Sequence, residues 1–468
     1  MNPLRIKSLL LAMAALVAFA TAIAAQVTGG AVTGTVLDPD GSAVVGATVS
    51  LKDKSRGLDF TAQTTGAGSY QFTNVPTGTY TITVTATGFA ESTGQVLVSL
   101  NQTVTADVAL TITAGTAVVN ITSGMENIVQ TDTSQVATTF QQRQFQDLPV
   151  NQNPNNLALL APNVTSPPIG VSGEGAITGG LRQRSNSFSI DGVDNNDVGV
   201  SGSVRGVIPD TVSEFSFLQN NFNAEFSSGG AGLFNTITKS GTNTYHGSVF
   251  GYFDRERFNA RATDEDGTTK RRFKQNRYGG TVGGPLLFPH FGEGGPAVYS
   301  GKDHLFFFFA YQKTTFDGEG GSSGYIAPTS AGLAKIAALP GVSPYVIGLV
   351  NQSMPLASSK EFDNCDAVNG TGPILGTCGI DMGTVNAVLP NANATKSYQF
   401  NVDAIVNAKN QLRFRYYWYN FSSADGVLVP LFASDTSQQQ RSFSANWIGN
   451  LSSTIVNDFR FGYIKSAT

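Results

Sequence analysis

Three aspartates and two asparagines fall within eleven residues, Ser187 to Asp197, which read SFSIDGVDNND. Clustered carboxylates can hold Ca²⁺ or act as an acid–base pair, so this stretch is the first candidate for chemistry. An EF-hand loop starting at Asp191 places Val193 where an oxygen ligand is required, and a start at Asp194 fails at the fifth and twelfth positions. No His, Lys or further carboxylate completes a catalytic site. The pattern favours a strand that enters an Asp-Gly turn.

Two other groups of residues could do chemistry. His290 and Glu293 have the H-x-x-E spacing of a zinc site, but the chain has 3 histidines, and neither His246 nor His304 is placed to complete such a site. We therefore predict no metal, no cofactor and no catalytic residue. Cys365 and Cys378 are the 2 cysteines of the chain, and in an exported protein they form a candidate disulfide.

The composition favours strands. Of the 468 residues only 13% are charged, while 52 are glycine, 31 phenylalanine and 14 tyrosine, so turn and strand formers outnumber helix formers. The formal net charge of −4 and the absence of a long basic run argue against a nucleic-acid partner. The sequence predicts a mainly β protein.

Residues 1–25 have the pattern of a secretory signal peptide. Arg5 and Lys7 precede an apolar run, and small residues near Ala24 and Ala25 offer a cleavage site. The alternative is an N-terminal membrane anchor, for which the apolar run is short. No later segment holds about 20 continuous apolar residues, so a membrane-bound form has to be a β-barrel.

Residues 26–112 alternate short strand-like runs with turns such as Asp-Pro-Asp-Gly at 38–41, which predicts a small β-sandwich. The runs GTVLDPDGSAVVGATV and GSYQFTNVPTGTYTITVTATGF resemble the carboxypeptidase regulatory-like domain, a transthyretin-like sandwich of the carbohydrate-binding-like fold group. The resemblance implies no catalysis. Tyr70 and Tyr80 are either core residues or, less readily, an aromatic platform for a sugar.

Residues 113–235 change character, with a short helical turn between prolines and a glycine-rich loop. Five pieces occur here and just beyond in one order: Leu148-Pro149, Leu157 to Val164, Ile190 to Asp194, Asn223 to Phe226, and Lys239 to Asn243. They resemble the plug of TonB-dependent outer-membrane receptors, an α+β domain. By resemblance, the plug scaffold includes Leu148, Pro149, Asp191, Gly192 and Asp194.

Residues 236–468 alternate apolar and polar residues, as strands do with lipid on one side and water on the other. We predict the first seven or so strands of an incomplete antiparallel transmembrane β-barrel, near 244–254, 275–287, 304–316, 396–407, 411–421, 441–450 and 454–465. Long connections at 255–274, 317–395 and 422–440 alternate with tight turns, which assigns the long ones to the cell exterior. The connection at 288–303 departs from this rule, because it is longer than expected on the periplasmic side. LFFFFAYQ at 305–312 is apolar on both faces, which fits a lumen-facing side packed against the plug only loosely.

The resemblance implies a receptor in the outer membrane of a Gram-negative type cell, with its N-terminal domain in the periplasm. Its expected partners are outer-membrane lipid, an external ligand (a glycan, a peptide or a chelate) and an inner-membrane TonB-type energy-transducing complex. An energy-coupling segment that adds a strand to that complex is predicted at 116–124, with Thr116, Val118, Val119 and Ile121. A plain linker or a last strand of the sandwich would explain these residues equally.

Barrels of the resembled family have more strands than the seven predicted in this sequence, so the chain is expected to be the N-terminal fragment of a longer receptor. The external ligand is expected to contact the 317–395 connection. The alternative functions are a non-transporting surface or adhesion protein, and carbohydrate binding by the sandwich.

Overall fold

The computed structural model describes residues 28–112, 136–147, 153–166, 174–197, 199, 202–220, 230–260, 272–289, 298–319, 323–365, 373–374, 376–387, 390–407, 409–425, 434–451 and 455–467. Strands dominate these residues, which confirms the mainly β prediction. The predicted signal peptide and the H-x-x-E pair lie outside them. In the part of the chain described, no helix has the length and apolarity that crossing a bilayer requires.

The first body is a β-sandwich. Its strands are β1 Gly29–Leu37, β2 Thr48–Asp53, β3 Leu58–Gln63, β4 Ser69–Pro76, β5 Gly78–Thr85, β6 Ser92–Val98, β7 Thr103–Thr105 and β8 Val108–Ala109. One sheet has the order β4-β1-β7, with β8 also paired to β1, and the other has the order β3-β2-β5-β6. Alternate residues of the strands, such as Val49, Leu51 and Ile82, are fully buried between the sheets. Burial of one face of each sheet is what stabilises a sandwich of this size.

Tyr70 and Tyr80 lie in the sandwich core, with exposures of 3% and 0%. The Tyr70 hydroxyl donates to the Ala106 carbonyl, and the Tyr80 hydroxyl donates to the Pro76 carbonyl at 2.8 Å. Burial raises the pKa of Tyr80 to about 12. Both rings are therefore packing residues with satisfied hydroxyls, and neither offers a face to a sugar.

The second body is called the middle domain. Its strands are β9 Val136–Gln141, β10 Val164–Thr165, β11 Ile177–Thr178, β12 Ser187–Ile190, β13 Val193–Asp194, β14 Val212–Asn220 and β15 Leu233–Thr238. Five of them form one sheet in the order β13-β12-β15-β14-β9. A helix at Gln142–Asp147 and a 3₁₀ turn at Pro154–Leu160 flank it, where the sequence predicts a short helical turn. Phe188, Phe217 and Phe234 form the core, with ring centroids 4.8 Å apart in two pairs.

The third body is a seven-stranded antiparallel sheet, called the wall. Its strands and those of its connections are β16 His246–Arg255, β17 Phe273–Pro285, β18 Leu287–Pro289, β19 Val298–Ser300, β20 Leu305–Glu319, β21 Ser323–Pro328, β22 Phe362–Asp363, β23 Asp381–Ala387, β24 Pro390–Asn407, β25 Asn410–Asp425, β26 Ser434–Asn450 and β27 Val456–Ala467. The wall order is β16-β17-β20-β24-β25-β26-β27, so all seven predicted strands are present and the barrel is partial.

The two faces of the wall differ as the alternation predicts. On β24, Phe400 is 42% exposed on the outer face, while Asn401 is 0% exposed and faces the middle domain. On β25, Phe414 is outward and Arg415 is buried. An apolar outer face and a polar inner face are typical of a strand with lipid on one side and a filled lumen on the other.

Two of the predicted connections have structure of their own. The 317–395 connection is not a plain loop, because helices at Ser330–Ala337 and Pro344–Ser353 and the sheet β21-β23-β22 occupy it. The prediction missed them because each element is short. The connection after β17 contains the β18-β19 hairpin, which accounts for a length unusual in a periplasmic turn.

Candidate functional site

Asp191 and Gly192 form the tight turn between β12 and β13. Their φ angles are 52° and 74°, the left-handed region that both central residues of a type I′ turn require. A Cβ at Gly192 would collide with the Arg460 guanidinium of β27 and with Thr28 of the sandwich. The Gly192 carbonyl accepts a hydrogen bond from Arg460 Nη1 at 3.2 Å. The turn therefore lies where the three bodies meet.

The Asp191 carboxylate joins the middle domain to the wall. It accepts hydrogen bonds from the Thr238 amide at 2.9 Å and the Thr238 hydroxyl at 2.8 Å. Its Oδ2 also lies 3.7 Å from Nε of Arg415, whose Nη2 is 2.9 Å from Asp403 Oδ1. Because these side chains are nearly buried, the charges attract each other more strongly than they would at a surface. Asp191 is thus a link in a charged chain that crosses the interface.

Asp194 makes no such link. Its Oδ1 accepts a hydrogen bond from the Asn196 amide at 3.0 Å, within its own loop. Within the described ranges, no three His, Cys, Asp or Glu residues come together as a metal site. The aspartate-rich stretch shapes a turn and supplies one interface carboxylate.

Polar side chains of the wall hold the end of β15. Asn401 Nδ2 donates to the Lys239 carbonyl at 2.7 Å and to the Thr238 hydroxyl at 3.1 Å. Thr211 donates its hydroxyl to Gln399 Oε1 at 3.0 Å. These buried groups satisfy one another across the interface, as buried polar groups must.

Apolar and aromatic contacts add to this interface. Ile208 packs against Phe308 and Ala310 of β20 and against Tyr417 of β25. The Arg205 guanidinium lies 5.3 Å from the centroid of the Tyr417 ring. The inward phenylalanines of LFFFFAYQ thus contact the middle domain, which explains why that strand is apolar on both faces.

The sandwich contacts the middle domain through Glu214 of β14. This carboxylate is 4% exposed and accepts a hydrogen bond from the Leu100 amide at 2.9 Å. Burial raises the pKa of Glu214 to about 7, and the hydrogen bonds from Leu100 and Thr77 oppose that shift. A carboxyl that titrates near neutral pH therefore lies in the contact between the two bodies.

The sandwich also contacts the wall. Asn74 Nδ2 donates to Asp458 Oδ2 at 2.9 Å, and the Asn243 amide donates to the Ser55 carbonyl at 2.8 Å. Asn243 is further bound to Asp303 by two hydrogen bonds of 2.7 and 2.8 Å. Asp458 lies near the start of β27, just after the connection at 451–455. Asp303 lies in the connection at 301–304, just before β20. The sandwich therefore lies at the end of the wall that has the short turns.

The other end of the wall carries the 317–395 connection with its disulfide. Cys365 and Cys378 are bonded, with their Cα atoms 5.3 Å apart. Asn364, next to Cys365, is fully buried. Its Nδ2 donates a hydrogen bond to the carbonyl of Thr377, the residue next to Cys378, at 2.8 Å. Hydrogen bonds from Lys360 and Lys335 hold the pKa of Asp381 below its ordinary value. Together these contacts tie the connection into one folded unit.

The remaining predicted site residues lie outside the described residues: Thr116, Val118, Val119, Ile121, Leu148 and Pro149. Of the predicted scaffold residues, the structure brings Asp191 and Gly192 to the interface and leaves Asp194 in its loop. Sequence reasoning missed the partners Asp403 and Arg415. The signal was present, because both are charged residues on the polar face of a strand, but their pairing with Asp191 is long-range.

Comparison with known proteins identifies two domains. An outer membrane beta barrel domain matches residues 237–468, and a carboxypeptidase regulatory-like domain matches residues 31–111. The TonB-dependent transporter Oar of Myxococcus xanthus is 26% identical over 270 residues, which cover 54% of this chain and 23% of the relative. The chain therefore contains an outer membrane beta barrel domain and a carboxypeptidase regulatory-like domain, and it is similar to a TonB-dependent transporter. It is accordingly an outer-membrane protein.

Solved structures of a siderophore receptor and of a ferric enterobactin receptor are also similar to the chain. The siderophore receptor PirA of Acinetobacter baumannii has a TM-score of 0.42 and 14% identity, covering 70% of this chain and 40% of PirA. A mutant of the ferric enterobactin receptor of Pseudomonas aeruginosa, in complex with enterobactin, has a TM-score of 0.44 and 12% identity, covering 70% and 41%. The chain spans about a quarter of the length of the curated relative and well under half of these two structures.

Proposed function

We propose that this chain is part of a TonB-dependent receptor that binds an external ligand and imports it with energy from an inner-membrane TonB-type complex. In this proposal residues 26–112 are a periplasmic sandwich, 113–235 the plug and 236–468 barrel wall. The position of the sandwich at the short-turn end of the wall supports its periplasmic placement, because short turns face the periplasm in such barrels.

The observation that carries the proposal is the way the middle domain is held inside the wall. Asp191, Arg415 and Asp403 form a buried charged chain, and Asn401 adds two hydrogen bonds. Hydrogen bonds to charged groups are worth about 1.5–3 kcal/mol each, so moving this domain requires several times the thermal energy. A plug that is held in this way supports energised transport over a passive pore.

The coupling segment is proposed at 116–124, outside the described residues. Deleting 116–124 from the receptor should abolish energised uptake and leave ligand binding unchanged, because the segment precedes the plug in the chain. Uptake that survives the deletion would assign these residues to a linker.

The ligand is proposed to contact the folded part of the 317–395 connection, with its helices, sheet and disulfide, which we call the outer unit. The class of the ligand remains a glycan, a peptide or a chelate. The test is accumulation of labelled ferric siderophores, oligosaccharides and oligopeptides by cells with and without the receptor, each in the presence and absence of TonB. We expect one class to accumulate only when both proteins are present. Binding without accumulation would identify a surface or adhesion protein instead.

A further inference from the structure

A cavity of about 390 Å³ lies where the sandwich, the middle domain and the wall meet. All three bodies contribute charged side chains to it. The sandwich supplies Asp53 and Arg56, the middle domain and its junction to the wall supply Asp191 and Lys239, and β25 supplies Arg413 and Arg415. Its volume is in the range of small-molecule sites.

The charge of this lining is positive. Four cationic side chains face two carboxylates, which gives 4 − 2 = +2 with His246 neutral. Counting Asp403, which bonds to Arg415 from the next strand, still leaves +1. A concave surface with excess positive charge and limited access to water attracts anions.

Three of the four cations have protein partners. Arg56 Nε is 2.6 Å from Asp53, Arg415 Nη2 is 2.9 Å from Asp403, and Lys239 Nζ donates to the Asp210 carbonyl at 2.7 Å.

Arg413 has no such partner. It lies directly opposite Asp403 in the strand register and is attracted by its charge, but the hydrogen bond of Asp403 Oδ1 goes to Arg415. Across the described ranges, no hydrogen bond or ion pair to the Arg413 guanidinium is found, and its side chain lines the cavity.

Arg415 provides a second, independent observation. The residue is only 5% exposed, and its Nε has no hydrogen-bond partner among the described residues, although Asp191 lies 3.7 Å away. A buried donor without an acceptor destabilises the folded protein, and a bound acceptor would remove this cost.

We propose that the cavity binds a small oxyanion, carried on a carboxylate or a phosphate, between Arg413 and Arg415. Planar guanidinium groups bind such oxyanions through paired hydrogen bonds, and Ser444, Asn446 and Ser240 place further donors on the lining. Because Arg56 comes from the sandwich, the site is complete only when the sandwich is docked. An acidic solute that has passed the middle domain would meet this site before leaving the wall.

The test is titration calorimetry of the detergent-purified receptor with inorganic phosphate and, separately, with citrate. We expect saturable binding of at least one of them, weakened by salt, with an affinity at least tenfold lower in Arg413→Gln and an intermediate affinity in Arg413→Lys, which keeps the charge but not the paired donors. The probe that binds distinguishes a phosphate from a carboxylate ligand. Arg441→Gln, which removes an exposed arginine from β26, should bind as the native receptor does.

A second measurement applies if the variants fail to fold. Phenylglyoxal modification of Arg413 in the native receptor, followed by peptide mass spectrometry, should slow when the anion is present. No saturable binding of either anion, equal affinity in Arg413→Gln, or unprotected Arg413 would each overturn the proposal. None of these measurements involves transport, so their failure would leave the proposed uptake function standing.

Discussion

At the residue scale, Asp191 is the side chain whose role the structure changes most. Asp191→Asn removes the charge that faces Arg415 and weakens the bonds to Thr238. The loss of charge-assisted contacts should cost about 1–3 kcal/mol, which corresponds to roughly 5- to 150-fold faster opening. Hydrogen–deuterium exchange of peptides from β15 should report this as faster exchange of the Thr238 amide.

Asp194→Asn is the matched control for Asp191→Asn. Both substitutions remove one carboxylate charge from the same loop, but within the described ranges the Asp194 carboxylate bonds to Asn196 alone. We expect its β15 exchange to equal that of the native protein. Equal exchange in all three proteins would show that the Asp191 charge does not hold the middle domain to the wall.

Glu214 predicts a pH dependence of sandwich docking. Its pKa is raised from 4.5 to about 7 by burial, so the docked carboxyl keeps a proton that the exposed carboxyl has lost between these two values. The contribution of Glu214 to stability is therefore fully present below pH 4.5. It falls as the pH rises to about 7 and changes little above that value. The full effect is on the order of 3 kcal/mol.

The thermal unfolding midpoint of the receptor in detergent should fall between pH 5 and 7.5 for this reason. Glu214→Gln, which keeps an oxygen for the Leu100 amide, should flatten that part of the profile and raise the midpoint at neutral pH. Glu91→Gln changes an exposed glutamate of the sandwich and should leave the slope as it is. An unchanged slope in Glu214→Gln would assign the pH dependence to another group.

At the element scale, the outer unit depends on its disulfide. The bond joins Cys365 and Cys378, which are 13 positions apart in the chain, and closing a loop of this size contributes about 2–4 kcal/mol of stability. The double substitution to serine should therefore make the 317–395 connection more susceptible to protease added to intact cells, without changing digestion of the sandwich in permeabilised cells.

Reduction of the native protein is the control for the disulfide prediction. A reducing agent should produce the same protease pattern as the serine variant and should have no further effect on that variant. If digestion of the outer unit stays at the native rate, Asn364 and the Asp381 ion pairs hold it without the disulfide.

At the scale of the whole molecule, the docked sandwich makes a prediction about proximity. Asn74 and Asp458 are in hydrogen-bond contact between the sandwich and β27. Cysteines at these two positions should therefore be joined efficiently by a short thiol cross-linker in isolated outer membranes. The native cysteines are paired with each other and do not compete for the reagent.

Asp40→Cys with Asp458→Cys is the control pair. β1 runs from Gly29, next to the wall, to Leu37, so its nine residues place the turn at 38–41 about 25–30 Å farther from the wall. This pair should not be joined by the short reagent. Equal yields for both pairs would contradict a docked sandwich.

How much could be predicted from the sequence differs between elements. The strands of the wall follow from alternation alone, because a surface between lipid and a filled lumen forces a period of two. The outer ends of these strands could not be predicted in this way. β24 begins at Pro390 and β26 at Ser434, whereas the predicted strands begin at 396 and 441. Backbone pairing with neighbouring strands extends them past the point where side-chain polarity alternates.

The sequence by itself determined the mainly β class, the sandwich with its tyrosine core, the seven strands and the turn at Asp191-Gly192, because periodicity and turn chemistry are local properties. The tertiary structure alone decided which groups meet: Arg415 with Asp191 and Asp403, and Glu214 with the Leu100 amide, while Arg413 has no hydrogen-bond or ion-pair partner among the described residues. Asp191 and Arg415 lie more than two hundred positions apart in the chain, and only the packing of three separate bodies brings such residues within bonding distance.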